Sequence, residues 1–248
     1  MAKNQEEYQF IRKRAKDIKM ITLAVDSSSK EIGIGIFNGP ELIAERYIIA
    51  EAHYNSILLP LINETLQKVK IQIKDIEIFA STLGPGSFTG IRVGIATMKA
   101  LAKGLGKFFY GTTVLNILAN SVKNDVNLLY PILDAKRGEI YTAEYKLESN
   151  VIEQKTDTRL LKWSDFVKEI NEGQSLCYLK YENIEVDLLK KDSKILLIEL
   201  EHIDLGIFNE IIMREMEFVR KKDNFFLSPT YIREPEAIIN LKKGKIHA

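Results

Sequence analysis

Gly84-Pro85-Gly86-Ser87-Phe88-Thr89-Gly90 lies between the apolar run Ile76–Thr82 and a stretch in which Ile91, Ile95, Met98, Ala102 and Leu105 recur at helical spacing. Glycine permits positive φ and close backbone approach, Pro85 narrows the path of the chain, and Ser87 and Thr89 are residue types that cap helices. The segment predicts a strand, an anchored turn and a helix. The turn itself has two readings. It is either purely structural or a phosphate or partner site, because N–H groups at a helix start attract anions. A Walker loop is excluded, since no Gly-Lys-Ser/Thr ending follows. Gly90 and Gly94, four residues apart, put two small residues on one helix face and allow another backbone to come close.

Outward from this segment the elements repeat. Met20–Asp26, Ile32–Asn38 and Leu42–Ile49 read as three strands separated by turn residues, and a helix is predicted at about 52–70. Beyond the glycine turn come a helix at about 90–103, a strand at Phe108–Thr113 and a short helix at about 114–122. A second cycle begins with strands at Leu128–Leu133 and Glu139–Tyr145, helices at Trp163–Ile170 and Ile207–Phe218, and a late strand at Ile195–Leu200. The order predicts an α/β protein of two β-β-β-α-β-α lobes, residues 20–123 and 124–248. The second lobe reads as abbreviated, because its third strand and first helix are poorly marked.

A chain of 248 residues is long enough to bury a sizeable core in one or two domains. With 46% hydrophobic and 28% charged residues, the composition excludes an intrinsically disordered chain, and no run of eighteen apolar residues marks a membrane span. The net charge of +1 provides no general field to hold a polyanion, so RNA would be bound jointly with a partner. The single cysteine, Cys177, excludes an internal disulfide and reads as a small buried apolar residue. Residues 1–19 are polar and basic and lack the apolar core of a secretory signal.

Gly84 to Gly94 resembles the signature segment of the TsaB (YeaZ) family, relatives of the larger TsaD proteins. Three further segments agree in the family's order. Ile21–Ser28 resembles its opening strand and Asp-Thr-Ser turn, His53–Pro60 its His-Ser-x-x-Leu-Leu-Pro helix start, and Leu133–Tyr141 its Leu-Asp-Ala-Arg-x-Gly-Glu-Val-Tyr hairpin. The likeness is strong from Met20 to Tyr145 and thin beyond, apart from Pro229-Thr230-Tyr231-Ile232-Arg233, which is similar to the closing Pro-x-Tyr-x-Arg. The resemblance implies the duplicated ribonuclease-H-like fold of actin, sugar kinases and Hsp70. It also implies a chain that starts at the first strand, where Met20 stands. Residues 1–19 are therefore expected to be a dispensable extension, or Met20 the natural start, which N-terminal mass analysis of the native protein decides.

In that superfamily an acidic residue at the end of strand one holds Mg²⁺ and the terminal phosphates, and Asp26-Ser27-Ser28-Ser29-Lys30 supplies this in part. A turn or capping role for Asp26 is the alternative. The second-lobe phosphate hairpin would be Asp134–Gly138, with one glycine and two bulky cations. After residue 150 only Gly173, Gly206 and Gly244 remain, none adjacent, so the nucleotide pocket is expected to be degenerate. Candidate phosphate contacts are Asp26, Ser27, Ser28, Gly84, Gly86, Ser87 and Thr89. The catalytic relatives place two histidines four apart, whereas this chain has His53 and Ile57, so no metal site is expected; His202 and His247 lack ligand spacing. Ser87 stands in no Gly-x-Ser-x-Gly elbow.

The helix from His53 carries Leu58, Ile62, Leu66 and Val69 as one stripe, widened by Ile57, Leu59 and Leu61. A helix apolar on two sides needs two partners, its own domain alone or its own domain and a second chain. The resemblance implies the second chain: TsaB-like proteins pair through these two helices with themselves or, preferentially, with TsaD. The implied interface residues are His53, Ile57, Pro60, Leu61, Glu64, Arg92, Ile95, Met98 and Lys99. The implied function is that of a non-catalytic cytoplasmic partner of TsaD in making N6-threonylcarbamoyladenosine in tRNAs that read codons beginning with A. TsaE and tRNA would be met through the complex, a homodimer would form without TsaD, and ATP or ADP would bind at the complex and not to this chain alone. Two other classes stay open: a phosphotransferase or ATPase using Asp26 and the glycine turn, and a glycoprotease, for which the sequence offers no site.

Overall fold

The computed structural model describes residues 20–50, 54–122, 126–148, 151–182, 184, 186, 189, 195–220 and 222–233. The expectations for residues 1–19, His53 and His247 lie outside them. Two compact units result, and neither is one continuous stretch.

The first unit comprises the chain up to Thr82, Val93–Gly111 and Leu205–Ser228. Its five-stranded sheet has the order β3-β2-β1-β4-β5, with β1 at Ile21–Asp26, β2 at Glu31–Asn38, β3 at Glu41–Ile49, β4 at Ile76–Thr82 and β5 at Phe108–Thr112. Strands β1 to β3 form an antiparallel meander, and β4 joins β1 in parallel. Helix α1 (Tyr54–Val69) buries Leu58, Leu61, Ile62, Thr65 and Leu66 and packs on β2 and β3. Helix α2 (Phe88–Leu105) runs from the glycine turn into this unit, burying Ile95, Met98 and Ala102.

The C-terminal helix α5 (Leu205–Arg214) closes the sheet by packing on β1 and β2. Gly33 and Gly35 make room for it: a Cβ on either would come within 3.2 Å of the Leu205 side chain and closer still to the rings of Tyr47 and Phe37. Asn209 Nδ2 donates to the Gly39 carbonyl at 2.9 Å. A four-residue helix α6 (Met216–Val219) and a 3₁₀ turn at Lys222–Phe226 follow.

The second unit comprises Leu83–Arg92, Thr112–Asp204 and the chain from Pro229 onward. Its main sheet repeats the first one's plan in the order β10-β7-β6-β11-β12, with β6 at Leu128–Lys136, β7 at Glu139–Thr142, β10 at Arg159–Lys162, β11 at Ser175–Leu179 and β12 at Leu196–Leu200. Strands β6, β7 and β10 are antiparallel, while β11 pairs in parallel with both β6 and β12. The duplicated ribonuclease-H-like plan is therefore complete in its strands. The third strand that the sequence left unmarked is β10, reached after an inserted hairpin, β8 (Tyr145–Glu148) and β9 (Val151–Gln154), which pairs with the start of β6. The abbreviation lies in the helices, for α4 (Trp163–Glu169) has 7 residues where α1 has 16.

Helix α3 (Val114–Asn120) starts at Thr113, whose side chain accepts from the Asn116 N–H. It packs on β6 and β11, and buried Cys177 directs its Sγ to the Leu118 carbonyl at 3.6 Å. Among the described residues no helix is long and apolar enough to cross a membrane.

Candidate functional site

Asp26 ends β1, and the structure turns it inward. Its carboxylate accepts from Thr82 Oγ1 at 2.6 Å and from the Ser28 N–H at 3.1 Å, and the residue is 3% exposed. Burial raises its pKa, against the lowering effect of those hydrogen bonds. Ser27 and Ser28 are buried beside it. Gly94 of α2 lies against this cluster. A Cβ there would stand 2.3 Å from Ser27 Oγ and 3.0 Å from Ser81 Oγ, so the small-residue face found in the sequence serves the approach of α2 to the ends of β1 and β4.

The glycine turn belongs to the second unit and is pinned by backbone. Leu83 N–H donates to the Thr112 carbonyl, Val114 N–H to that of Gly84, and Thr230 N–H to that of Leu83, each at 2.8 Å. Gly84 and Gly86 take φ of +92° and +150°, and the Gly84-Pro85 peptide is cis. Ser87 caps α2, accepting from the Gly90 N–H at 3.3 Å. Thr89 lies within the first turn and is exposed.

The closing motif ties two of the sequence segments together. Tyr231 Oη accepts from Arg92 Nε at 2.5 Å and its ring lies 5.2 Å from Phe88, while the Arg92 guanidinium sits 3.7 Å above the Phe88 ring. Two residues on, Arg233 donates to the Ala135 carbonyl at 2.6 Å and pairs with Glu139, gripping the β6–β7 hairpin. That hairpin carries Lys136, Arg137 and Gly138 at φ of +64°, +61° and +72°, the first two strained for side-chain-bearing residues. Lys136 Nζ pairs with Asp134 at 2.7 Å. Glu182, which sequence reading missed for want of any local signal, accepts the Asp134 N–H at 2.8 Å. Desolvation first, then the Asp134 charge, push its carboxyl up to about 8 against that hydrogen bond and Lys136.

The residues expected at a partner interface divide. Leu61, Ile95 and Met98 are 4%, 5% and 0% exposed, in the chain's own core, and have no side-chain surface to give a second chain. Lys99 is drawn inward: its Nζ donates to the Phe225 carbonyl at 2.6 Å and to that of Leu227, and burial lowers its pKa. Arg92 is exposed but held by Phe88 and Tyr231. On α1, Ile57 is half-buried, Pro60 is exposed, and Glu64 is exposed and pairs with Arg46 at 2.8 Å. The apolar side chain that α1 does present is Leu59, 49% exposed.

The paired sheets and the topology of each unit define a duplicated α/β protein of the actin and sugar-kinase class. The model of the TsaD family, tRNA N6-adenosine threonylcarbamoyltransferase, matches residues 47–197. The tRNA threonylcarbamoyladenosine biosynthesis protein TsaB of Bacillus subtilis (strain 168) is 29% identical over 153 residues, 60% of this chain and 67% of that protein. Its counterpart in Escherichia coli (strain K12) is 30% identical over 152 residues, again 60% of this chain and 65% of that one, so the match spans about two thirds of these relatives. YeaZ from Pseudomonas aeruginosa superposes with a TM-score of 0.66 over 86% of this chain and 99% of its own, at 17% identity, and shows the shared fold. The chain belongs to the TsaB (YeaZ) family.

Proposed function

We propose that this protein takes part in the synthesis of N6-threonylcarbamoyladenosine in tRNA, as a non-catalytic cytoplasmic partner of a TsaD-type transferase. The pathway rests on the TsaB relatives, named for that biosynthesis. The non-catalytic part is carried by Asp26. Its Oδ1 accepts from both the Thr82 hydroxyl and the Ser28 N–H, and the residue is 3% exposed, whereas a magnesium-dependent phosphotransferase needs an acidic group open to metal-bound phosphate. The protein then acts by binding: the outer face of α1, with Leu59 and Pro60 flanked by Glu64, offers an exposed apolar anchor inside a polar surround. In this reading the transferase docks there, a second copy of the chain takes its place when the transferase is absent, and TsaE, tRNA and ATP or ADP engage the assembled complex.

Reconstitution tests the reading. The adenylate-forming enzyme, TsaD, TsaE, ATP and tRNA are combined with and without this protein, and threonylcarbamoylation is followed by mass spectrometry of nucleosides. Modification is expected only when the protein is present, and none from this protein and the adenylate alone. Full modification without it would remove the partner role.

A further inference from the structure

β12 ends the second sheet, and among the described residues it pairs with β11 alone. Its sequence is Leu196-Leu197-Ile198-Glu199-Leu200, yet none of the five is buried and Leu196 is 43% exposed. Open edges invite another strand, and proteins guard them with charge. β3, at the end of the first sheet, carries Glu41, Glu45 and Arg46, and β10, at the far end of the second, is bracketed by Arg159 and Lys162. β12 has Glu199 alone.

The hydrogen bonds to β11 decide what the open edge offers. Leu196 N–H donates to the Gln174 carbonyl at 3.2 Å, and the Leu200 carbonyl accepts from Lys180 N–H at 2.9 Å. Alternate residues of a strand turn their backbone groups to the same neighbour, so Leu196, Ile198 and Leu200 face β11. The N–H and C=O groups of Leu197 and Glu199 therefore point out of the sheet. The side chains divide in the same rhythm. Leu197 packs on the core around Tyr130 and Phe166. Leu196, Ile198 and Leu200 share the opposite face, on which Cys177, the β11 neighbour of Ile198, turns to Leu118 of α3.

We propose that β12 is a self-pairing edge, joining antiparallel to β12 of a second copy of this chain about a two-fold axis at Ile198. Cross-strand partners share a face, so a two-fold axis normal to the sheet must pass through a residue position and not between two. Centring on Ile198 matches all five residues of one copy with all five of the other. Leu197 and Glu199 of the other copy then exchange both N–H···O=C bonds, and symmetry repeats the pair. Every outward backbone group of the two residues is used. Leu196 meets Leu200 and Ile198 meets its own counterpart, which makes one stripe of six aliphatic side chains across the joined sheets. Centring on Leu197 leaves Leu200 outside the pairing, and centring on Glu199 sets two carboxylates face to face. Five residues bury less than the roughly 1,200–2,000 Å² of a stable complex, so a weak dimer is expected, dissociating at roughly high-micromolar concentration.

β12 lies wholly in the second unit and α1 in the first, so the two contacts are tested apart. Full-length protein carrying Leu59→Asp, to disable the α1 contact, is followed by sedimentation equilibrium up to about 1 mM. A monomer–dimer equilibrium is expected, weakened about tenfold or more by Leu196→Lys, with unchanged far-ultraviolet circular dichroism as the folding control. Mild oxidation of cysteine variants reads the register, and Cys177, being buried, does not compete. At position 198 the two Cα atoms stand about 4.5 Å apart, within disulfide reach, whereas at 196 they are about 13 Å apart. Ile198→Cys is expected to give a covalent dimer and Leu196→Cys none, while Leu196→Cys combined with Leu200→Cys cross-links again. Should Ile198→Cys fail to fold, the double variant reads the same register. A monomer throughout the concentration range overturns the proposal and leaves the edge to a strand of another protein. Equal cross-linking by the two single variants also overturns it, because it shows collision without register.

Discussion

Glu182 and Asp26 are carboxylates that the fold would sooner keep protonated, and the consequence is a pH dependence of unusual sign. Glu182 has an ordinary value of 4.5 and stands at about 8 in the folded chain. Its folded-state pKa is raised, so its contribution to stability is complete below 4.5, declines as pH rises and is lost above about 8. Wild-type protein should therefore lose melting temperature relative to Glu182→Gln as pH rises through that window, the amide keeping the acceptor for Asp134 N–H. A constant difference between the two melting curves across the window would refute the burial argument. Asp26 is raised in the same direction, and its hydrogen bonds supply a second test. Asp26→Ala strands the Thr82 hydroxyl and the Ser28 N–H, at about 1–3 kcal/mol for each buried donor left unpaired, whereas Asp26→Asn retains an acceptor and is expected to lose less. Urea denaturation of both variants measures the difference, and equal losses would mean that the acceptor is not what holds this corner. The chemistry at Asp26 was half legible in the sequence: the residue and its turn stand out, but its partner Thr82 lies 56 positions away and only the parallel pairing of β1 with β4 brings them together.

For the elements, the helices carry the tests. Gly94→Ala drives a methyl into Ser27 Oγ and against Ser81 Oγ, so that these buried hydroxyls must turn away or α2 must shift, and a loss of about 1–3 kcal/mol is expected in thermal or chemical denaturation. An unchanged melting point would show that α2 has slack against the strands. Leu59→Asp changes a residue that is 49% exposed, so the fold should survive while co-elution with a TsaD-type partner is lost; retained co-elution would move the interface off α1. The helical stripes were visible from spacing, but which side of a two-sided stripe faces the chain's own core is a property of what covers it. Leu61, Ile95 and Met98 are core because the rest of the folded chain covers them, and nothing local encodes that. The first lobe's strands stand out by their turn residues and apolar runs. Ser175–Leu179 of β11 is instead a five-residue run buried throughout, with no alternation to mark it, and Arg159–Lys162 of β10 is fixed by its pairing with β7 more than by its composition.

At the scale of the molecule, the duplicated plan was readable from the order of elements, whereas the division between units was not. A cut at 123/124 follows the chain, but Leu205–Ser228 belongs with the first unit and Leu83–Arg92 with the second. Such exchanges depend on contacts far apart in sequence, which periodicity cannot express. The return of α5 to the first sheet also sets an order of manufacture. A ribosome releases β1 to β5 long before it has made Leu205, and until then Gly33 and Gly35 present a strand surface without its helix. The lobe that begins first thus waits for its last helix until most of the second lobe has been made. A message truncated between residues 113 and 204 yields the first sheet without α5 and with an open apolar side, a product for quality control to remove and not a smaller working protein.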